Sequence, residues 1–183
     1  MDLETVTAEI TQVLITKEQI ETRIQELAKE IDAHYASKDV LLVGVLKGAV
    51  MFMADLSRAV QSRVQMDWMA VSSYGSGTTS SGVVRILKDL DADVLGKDVL
   101  IVEDIIDSGL TLSWLVANLE ARGAASVEVV ALLRKPDAAK VDVDVRWVGF
   151  EIPNEFVVGY GLDYNERYRT LPGVAVLSPS VYS

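Results

Sequence analysis

The chain has 183 residues, 50% hydrophobic and 24% charged, with 17 Lys and Arg against 27 Asp and Glu for a formal net charge of -10. That length suits one well-packed domain and is short for two ordinary ones, while the acidic excess argues against a nucleic-acid backbone as the main partner. Zero cysteines and a single histidine, His34, exclude a disulfide framework, a thiol nucleophile and a histidine-rich metal site.

The opening Met1-Asp2-Leu3-Glu4 puts no basic region ahead of an apolar one, and the apolar runs at 40–46 and 48–54 are broken by Lys47 and Asp55. Neither a signal peptide nor a membrane span is expected, and the expected compartment is the cytoplasm. Thr16-Lys17-Glu18-Gln19 has the form of a capping box, and Ile20, Ile24, Leu27 and Ile31 follow at helical spacing. This first helix should pack on a sheet face, with His34 at its end as a solvated bystander. Residues 40–45 read as a buried strand, 49–60 as a helix and 64–73 as a second strand. The polar, glycine-rich stretch 74–82 reads as a loop. It mimics a Walker spacing between Gly77 and Gly82, but Val83 and Val84 stand where Lys and Ser or Thr are required.

Strands recur at 83–87, 99–102 and 126–133. Between the last two, an uncharged apolar run leads into Glu103 and Asp104, then Asp107, then Ser108-Gly109-Leu110-Thr111. Helical spacing takes over with Leu112, Leu115, Val116 and Leu119, and Gly123 offers a stop. The segment is therefore a strand-to-helix crossover, where in open α/β sheets the free N–H groups of the helix favour an anion. Asp107 or Ser108 alone reads as a helix cap. Two consecutive acids at the end of a buried strand have no such structural task. Beside a phosphate cradle they make sense only if they hold ribose hydroxyls or a hard cation. The C-terminal third carries shorter apolar pieces at 146–150, 156–158 and 174–177, too short for further strand–helix–strand units and suited to a cap over the sheet.

The segment 99–111 resembles the phosphoribosyl-pyrophosphate signature of type I phosphoribosyltransferases. Leu46-Lys47-Gly48, Ser72-Ser73-Tyr74-Gly75, Leu133-Arg134-Lys135-Pro136 and Phe156-Val157-Val158-Gly159-Tyr160-Gly161-Leu162-Asp163-Tyr164 follow in the order of the hypoxanthine or hypoxanthine-guanine branch of that family. The resemblance runs from about residue 10 to the C-terminus. It implies an α/β fold, with a central mostly parallel sheet flanked by helices and a small hood from the terminal segments over the site. The whole of 1–183 would be a single domain, with its core at about 10–150, its hood mainly in the C-terminal third and a mobile loop at 72–82.

The implied reaction is purine salvage, in which the 5-phosphoribosyl group moves from phosphoribosyl pyrophosphate to hypoxanthine or guanine with release of pyrophosphate. Asp107 to Thr111 would hold the 5′-phosphate through Ser108, Gly109, Leu110 and Thr111, with Asp107 also the general base near purine N7. Glu103 and Asp104 would face the ribose hydroxyls, directly or through magnesium, and Asp163 would bind that Mg2+. Leu46, Lys47 and Gly48 would form a tight pyrophosphate-binding turn, in which relatives often show a non-proline cis peptide. Ser73, Tyr74 and Arg169 would complete the pyrophosphate contacts. Lys135 would donate to the oxygen at purine C6, Phe156 would stack on the purine, and Val157 would read its edge. A 6-oxopurine is the implied base, with xanthine an open alternative. The 137–139 region, Asp137-Ala138-Ala139, is less basic than in many relatives. A homodimer or homotetramer is implied. A non-catalytic sensor of phosphoribosyl pyrophosphate is the reading from another class, but residues 1–38 show no helix-turn-helix, and Asp107, Lys135 and Asp163 are all present.

Overall fold

The computed structural model describes residue 6, residues 8–74 and residues 83–182. The uncharged runs become the centre of the main sheet. Strands β2 (Asp39–Leu46), β5 (Asp98–Ile106) and β6 (Ser126–Arg134) lie in parallel, buried on both faces over most of their length. With β3 (Arg63–Tyr74), β4 (Val83–Lys88) and β7 (Trp147–Glu151) they form a six-stranded sheet ordered β4-β3-β2-β5-β6-β7, in which β4 alone is antiparallel to its neighbour.

Side chains alternate between two cores, as the pleat requires. Val40, Leu42, Leu100 and Val102 face helices α1 (Lys17–Tyr35) and α2 (Val50–Ala59). Leu41, Val43, Val99 and Ile101 face helix α3 (Leu110–Ala121), which contributes Leu112, Leu115 and Leu119. The capping box at the start of α1 is formed, with Gln19 N–H donating to Thr16 Oγ1 at 3.3 Å and Thr16 N–H to Gln19 Oε1 at 2.8 Å.

The chain leaves β2 for β3 on one side and later returns as β5 on the other. The strand order therefore reverses at β2 and β5, and the crevice beyond their carboxyl ends is where an open α/β sheet binds ligands. Both Leu46-Lys47-Gly48 and the Glu103-Asp104 pair stand there.

A second sheet closes over this edge. Strands β1 (Ile10–Ile15), β8 (Val157–Val158) and β9 (Val174–Leu177) are antiparallel in the order β1-β9-β8. Tyr160 Oη donates to Asp55 Oδ2 at 2.5 Å, which ties this hood to α2. Tyr168 Oη donates to Glu9 Oε2 at 2.6 Å.

Three details differ from sequence expectation. Residues 10–15 form a strand that was not foreseen, because β1 is mostly solvent-facing and pairs only with the distant β9. Strand β5 continues past 102 to Ile106, because its pairing with β6 runs on to Ile106 opposite Arg134. His34 is more than a solvated bystander: its ring meets Tyr35 and Trp147 edge-on at 4.8 and 5.3 Å, and its Nε2 lies 3.8 Å from Glu128. The closing loop expected at 72–82 lies, from residue 75 onward, outside the described residues. Among the described residues no helix is long and apolar enough to cross a membrane.

Candidate active site

The extension of β5 decides how the acidic pair is used. Within a strand, consecutive side chains point to opposite faces, so Glu103 and Asp104 part company. Glu103 lines a small cavity of about 120 Å³ with Asp107, Ser108, Gly109 and Thr111. Asp104 lines a larger one of about 340 Å³ beside Lys47 and Gly48. The two carboxylates thus stand on either side of the strand, each in its own cavity.

The smaller cavity is the turn at the start of α3. Gly109 takes φ +78°, a left-handed conformation that glycine adopts without steric cost, and no side chain caps the helix. Leu110 N–H has only a long contact of 3.5 Å with Ser108 Oγ, so the first turn of α3 keeps donors to offer. The loop is held from behind, where Lys140 and Val141 N–H groups donate to the Ser108 carbonyl at 3.0 and 3.3 Å. These features make an anion cradle of atomic dimensions suited to a phosphate.

The larger cavity gathers residues from four places in the chain. Lys47 and Gly48 come from the turn after β2, whose Leu46–Lys47 peptide is cis. Asp104 and Asp107 come from β5 and its exit, and Lys135 from the end of β6. The hood supplies Phe156, Val157, Asp163 and Arg169. Ile105 and Leu162 also line it, two apolar walls that lie within the motifs but were given no role.

Lys135 is buried, and its Nζ lies 3.4 Å from Asp107 Oδ2. Phe156 is half-exposed, with the rings of Tyr164 and Tyr182 at 5.8 and 5.0 Å behind it. The Arg169 fork donates through Nη1 to the Gly161 carbonyl at 2.7 Å and through Nη2 to Asp163 Oδ1 at 2.9 Å. Its Nε is buried and makes no hydrogen bond among the described residues. Leu46 ends β2, and the side chains of Ser73 and Tyr74 lie outside the described residues.

Burial pushes the Glu103 carboxyl well above the usual carboxylate range, and the charge of Asp104 adds to the effect. Asp104 is pushed up to about 6, chiefly by burial, against the pull of N–H donors and of Arg169. Acids that resist ionisation beside two cations, Lys47 exposed and Arg169 largely covered, are an arrangement that costs stability and marks a site for charged ligands.

One further residue escaped sequence reasoning. Glu166 bonds Lys47 Nζ at 3.0 Å and Arg169 Nη2 at 3.2 Å, and these hydrogen bonds, Lys47 first, hold its carboxyl below the ordinary value. No local pattern announces a contact between positions so far apart. The site as a whole offers a phosphate cradle, buried acids for hydroxyls or a cation, a donor-only ammonium beside a half-exposed aromatic ring, and two cations for a second anion.

Residues 12–165 match the phosphoribosyl transferase domain family. The hypoxanthine-guanine phosphoribosyltransferase of Mycobacterium avium is 59% identical over 180 residues, covering 95% of this chain and 89% of the relative. That of Bacillus subtilis is 53% identical over 174 residues, covering 95% and 97%. The crystal structure of a hypoxanthine phosphoribosyltransferase from Staphylococcus aureus superposes with a TM-score of 0.95 at 45% identity, covering 98% of this chain and 97% of that one.

Proposed function

The chain belongs to the phosphoribosyl transferase family as a purine-salvage enzyme that carries the phosphoribosyl group to hypoxanthine or guanine, and we propose how its residues divide that task. The observation that carries the assignment is the single 340 Å³ cavity in which Lys47, Asp104, Asp107, Lys135, Asp163 and Arg169 meet.

A purine ring nitrogen displaces pyrophosphate from the anomeric carbon of phosphoribosyl pyrophosphate. The carbon–oxygen bond to the leaving group stretches early and positive charge builds on the ribose. The protein gains most by fixing the two reactants in line and by stabilising the departing pyrophosphate. Ser108, Gly109, Leu110 and Thr111 hold the 5′-phosphate at the start of α3. Glu103 and Asp104 flank the ribose from the two sides of β5. The cis turn at Leu46, Lys47 and Gly48 receives the pyrophosphate together with Ser73, Tyr74 and Arg169, whose planar fork suits phosphate oxygens.

Lys135 donates to the oxygen at purine C6. An ammonium offers hydrogen atoms only, so it accepts hypoxanthine or guanine and meets an amino group on adenine with donor against donor. Phe156 stacks on the base and Val157 reads its edge through backbone groups. Asp107 accepts the purine N–H proton as the ring nitrogen is alkylated, and its exposed carboxylate has room to move to that proton.

Magnesium is part of the same proposal, with Asp163 and Asp104, which line the larger cavity, as its protein oxygens, while Glu103, the third carboxylate expected to hold it, faces the smaller cavity. The donor set is hard, and the charge of Asp163 already raises the proton affinity of Asp104, so these two carboxylates share a field that a cation would relieve. Among the described residues no three acidic or histidine side chains close into a cage. Mg2+ is usually held by one or two carboxylates and substrate phosphates, so Asp163 and Asp104 would hold it together with the diphosphate. When bound it neutralises charge on the leaving pyrophosphate.

A homodimer or homotetramer also belongs to the proposal, and the exposed Met66 and Leu87 of the sheet offer apolar surface to bury. So does a cytoplasmic location, since a polyanionic substrate does not cross a membrane unaided. The test is an absorbance assay with phosphoribosyl pyrophosphate, magnesium and each of hypoxanthine, guanine, xanthine and adenine. Consumption of hypoxanthine and guanine but not adenine is expected. Consumption of no base would favour a sensor.

A further inference from the structure

Glu166 lies outside every motif that points to the site, yet its carboxylate spans the two cations assigned to pyrophosphate. Oε2 accepts from Lys47 Nζ at 3.0 Å, and Oε1 accepts from Arg169 Nη2 at 3.2 Å. Lys47 belongs to the turn after β2 and Arg169 to the hood, so this carboxylate also links the two sheets electrostatically.

The backbone holds Glu166 out for this position. Asn165 and Glu166 take φ +50° and +62°, left-handed conformations that are uncommon for a non-glycine residue such as Glu166. The turn is pinned by Glu166 N–H donating to Asp163 Oδ2 at 2.9 Å. Strain of this kind persists where the surroundings demand a particular side-chain position.

Two carboxylate oxygens on two different cations present the pattern that neighbouring diphosphate oxygens would present. The geometry points to Glu166 as an internal place-holder for pyrophosphate, a positioning residue whose carboxylate keeps Lys47 and Arg169 in place and is exchanged for diphosphate oxygens when the anion enters. The inference rests on the reading of the cavity given above. Exchange is easy because the Glu166 side chain is 64% exposed and can turn into water. After exchange the displaced carboxylate stays close by as a like charge, which weakens retention of the anion and favours its departure.

Isothermal titration calorimetry of the full chain with pyrophosphate at fixed magnesium and low ionic strength tests this. Glu166→Gln should bind pyrophosphate roughly threefold to tenfold more tightly than wild type, the range expected for removing two exposed ion pairs that compete with the ligand. The gain should shrink at high salt, where such pairs are screened. Glu166→Asp keeps the charge and should fall between the two. If Glu166 served only to shape the turn, Glu166→Gln would bind pyrophosphate equally or less well, and that result overturns the inference while leaving the function standing. An Asp variant as tight as the Gln variant would also overturn it, since charge would not be the cause. A wild-type protein that binds no pyrophosphate would sink both the inference and the reading beneath it.

Discussion

Lys135 and Asp107 form an ion pair at 3.4 Å in which the ammonium is nearly buried and the carboxylate is largely in solvent, with 9% and 58% of the side chains exposed. The pair exists because β5 and β6 run in parallel with Ile106 opposite Arg134, so the residues that follow each strand emerge side by side. Under the proposed roles, the partner that discriminates among bases is fixed by packing, and the one that accepts the proton is free to move. Lys135→Ala should raise the Michaelis constant for hypoxanthine about 10- to 100-fold, the loss of one hydrogen bond from a charged donor. Asp107→Asn should instead lower kcat by about 10²–10⁴ with little change in phosphoribosyl-pyrophosphate binding. Steady-state kinetics on the two variants separate the roles, and equal losses of turnover and binding for Asp107→Asn would remove it as the base.

The buried acids make stability depend on pH in a specific direction. The folded-state pKa of Asp104 is about 6 and that of Glu103 is well above the ordinary value, both raised mainly by burial. A raised carboxyl pKa means the folded state prefers the proton, so the contribution to stability is full below about pH 4 and is lost as pH rises through the folded pKa. Asp104→Asn removes the ionisation. At pH 8 it should be more stable than wild type by on the order of 1–3 kcal/mol, about 3–10 °C in Tm for a chain of this size. The gap should close at pH 4. Thermal melts of both proteins at the two pH values check this, and an equal gap at both would trace the effect to packing rather than charge.

Long apolar runs made β2, β5 and β6 legible, because a strand buried on both faces carries its whole environment in its own residues. The same holds for α1, whose cap and stripe are local. Strand β1 was not legible, since only Ile15 of Ile10–Ile15 is buried and its pairing with Val174–Leu177 is settled by the hood. At the site, Lys47, Asp104, Asp107, Lys135 and Asp163 were visible through their motifs, and the structure brings them to one cavity. The division of Glu103 from Asp104 was not visible, because it depends on β5 running on beside β6 past 102. Glu166 was invisible for a similar reason: its partner Lys47 is 119 positions away. Chemistry that follows from local order could be read, and chemistry set by long-range pairing could not.

Two glycines close around the cis turn, and their replacements should fail in different ways. A Cβ on Gly48 would lie 1.6 Å from Asp104 Oδ2, so the space beside Gly48 belongs to the Asp104 carboxylate. A Cβ on Gly161 would lie 2.0 Å from the Gly48 carbonyl oxygen, and Gly161 has φ +102°. In Gly48→Ala the clash is with the end of a side chain, which can swing aside at the expense of its place in the cavity. That variant should fold, with Tm within a few degrees of wild type, and lose phosphoribosyl-pyrophosphate affinity about tenfold or more. In Gly161→Ala the clash is with backbone and the new residue is forced into a region costly for any side chain, so stability should fall by roughly 2–4 kcal/mol. Thermal melts paired with titration of phosphoribosyl pyrophosphate separate the two. A Gly48→Ala variant that kept full affinity would show that Asp104 can yield its position without consequence, and would remove that carboxylate from the binding of the ribose.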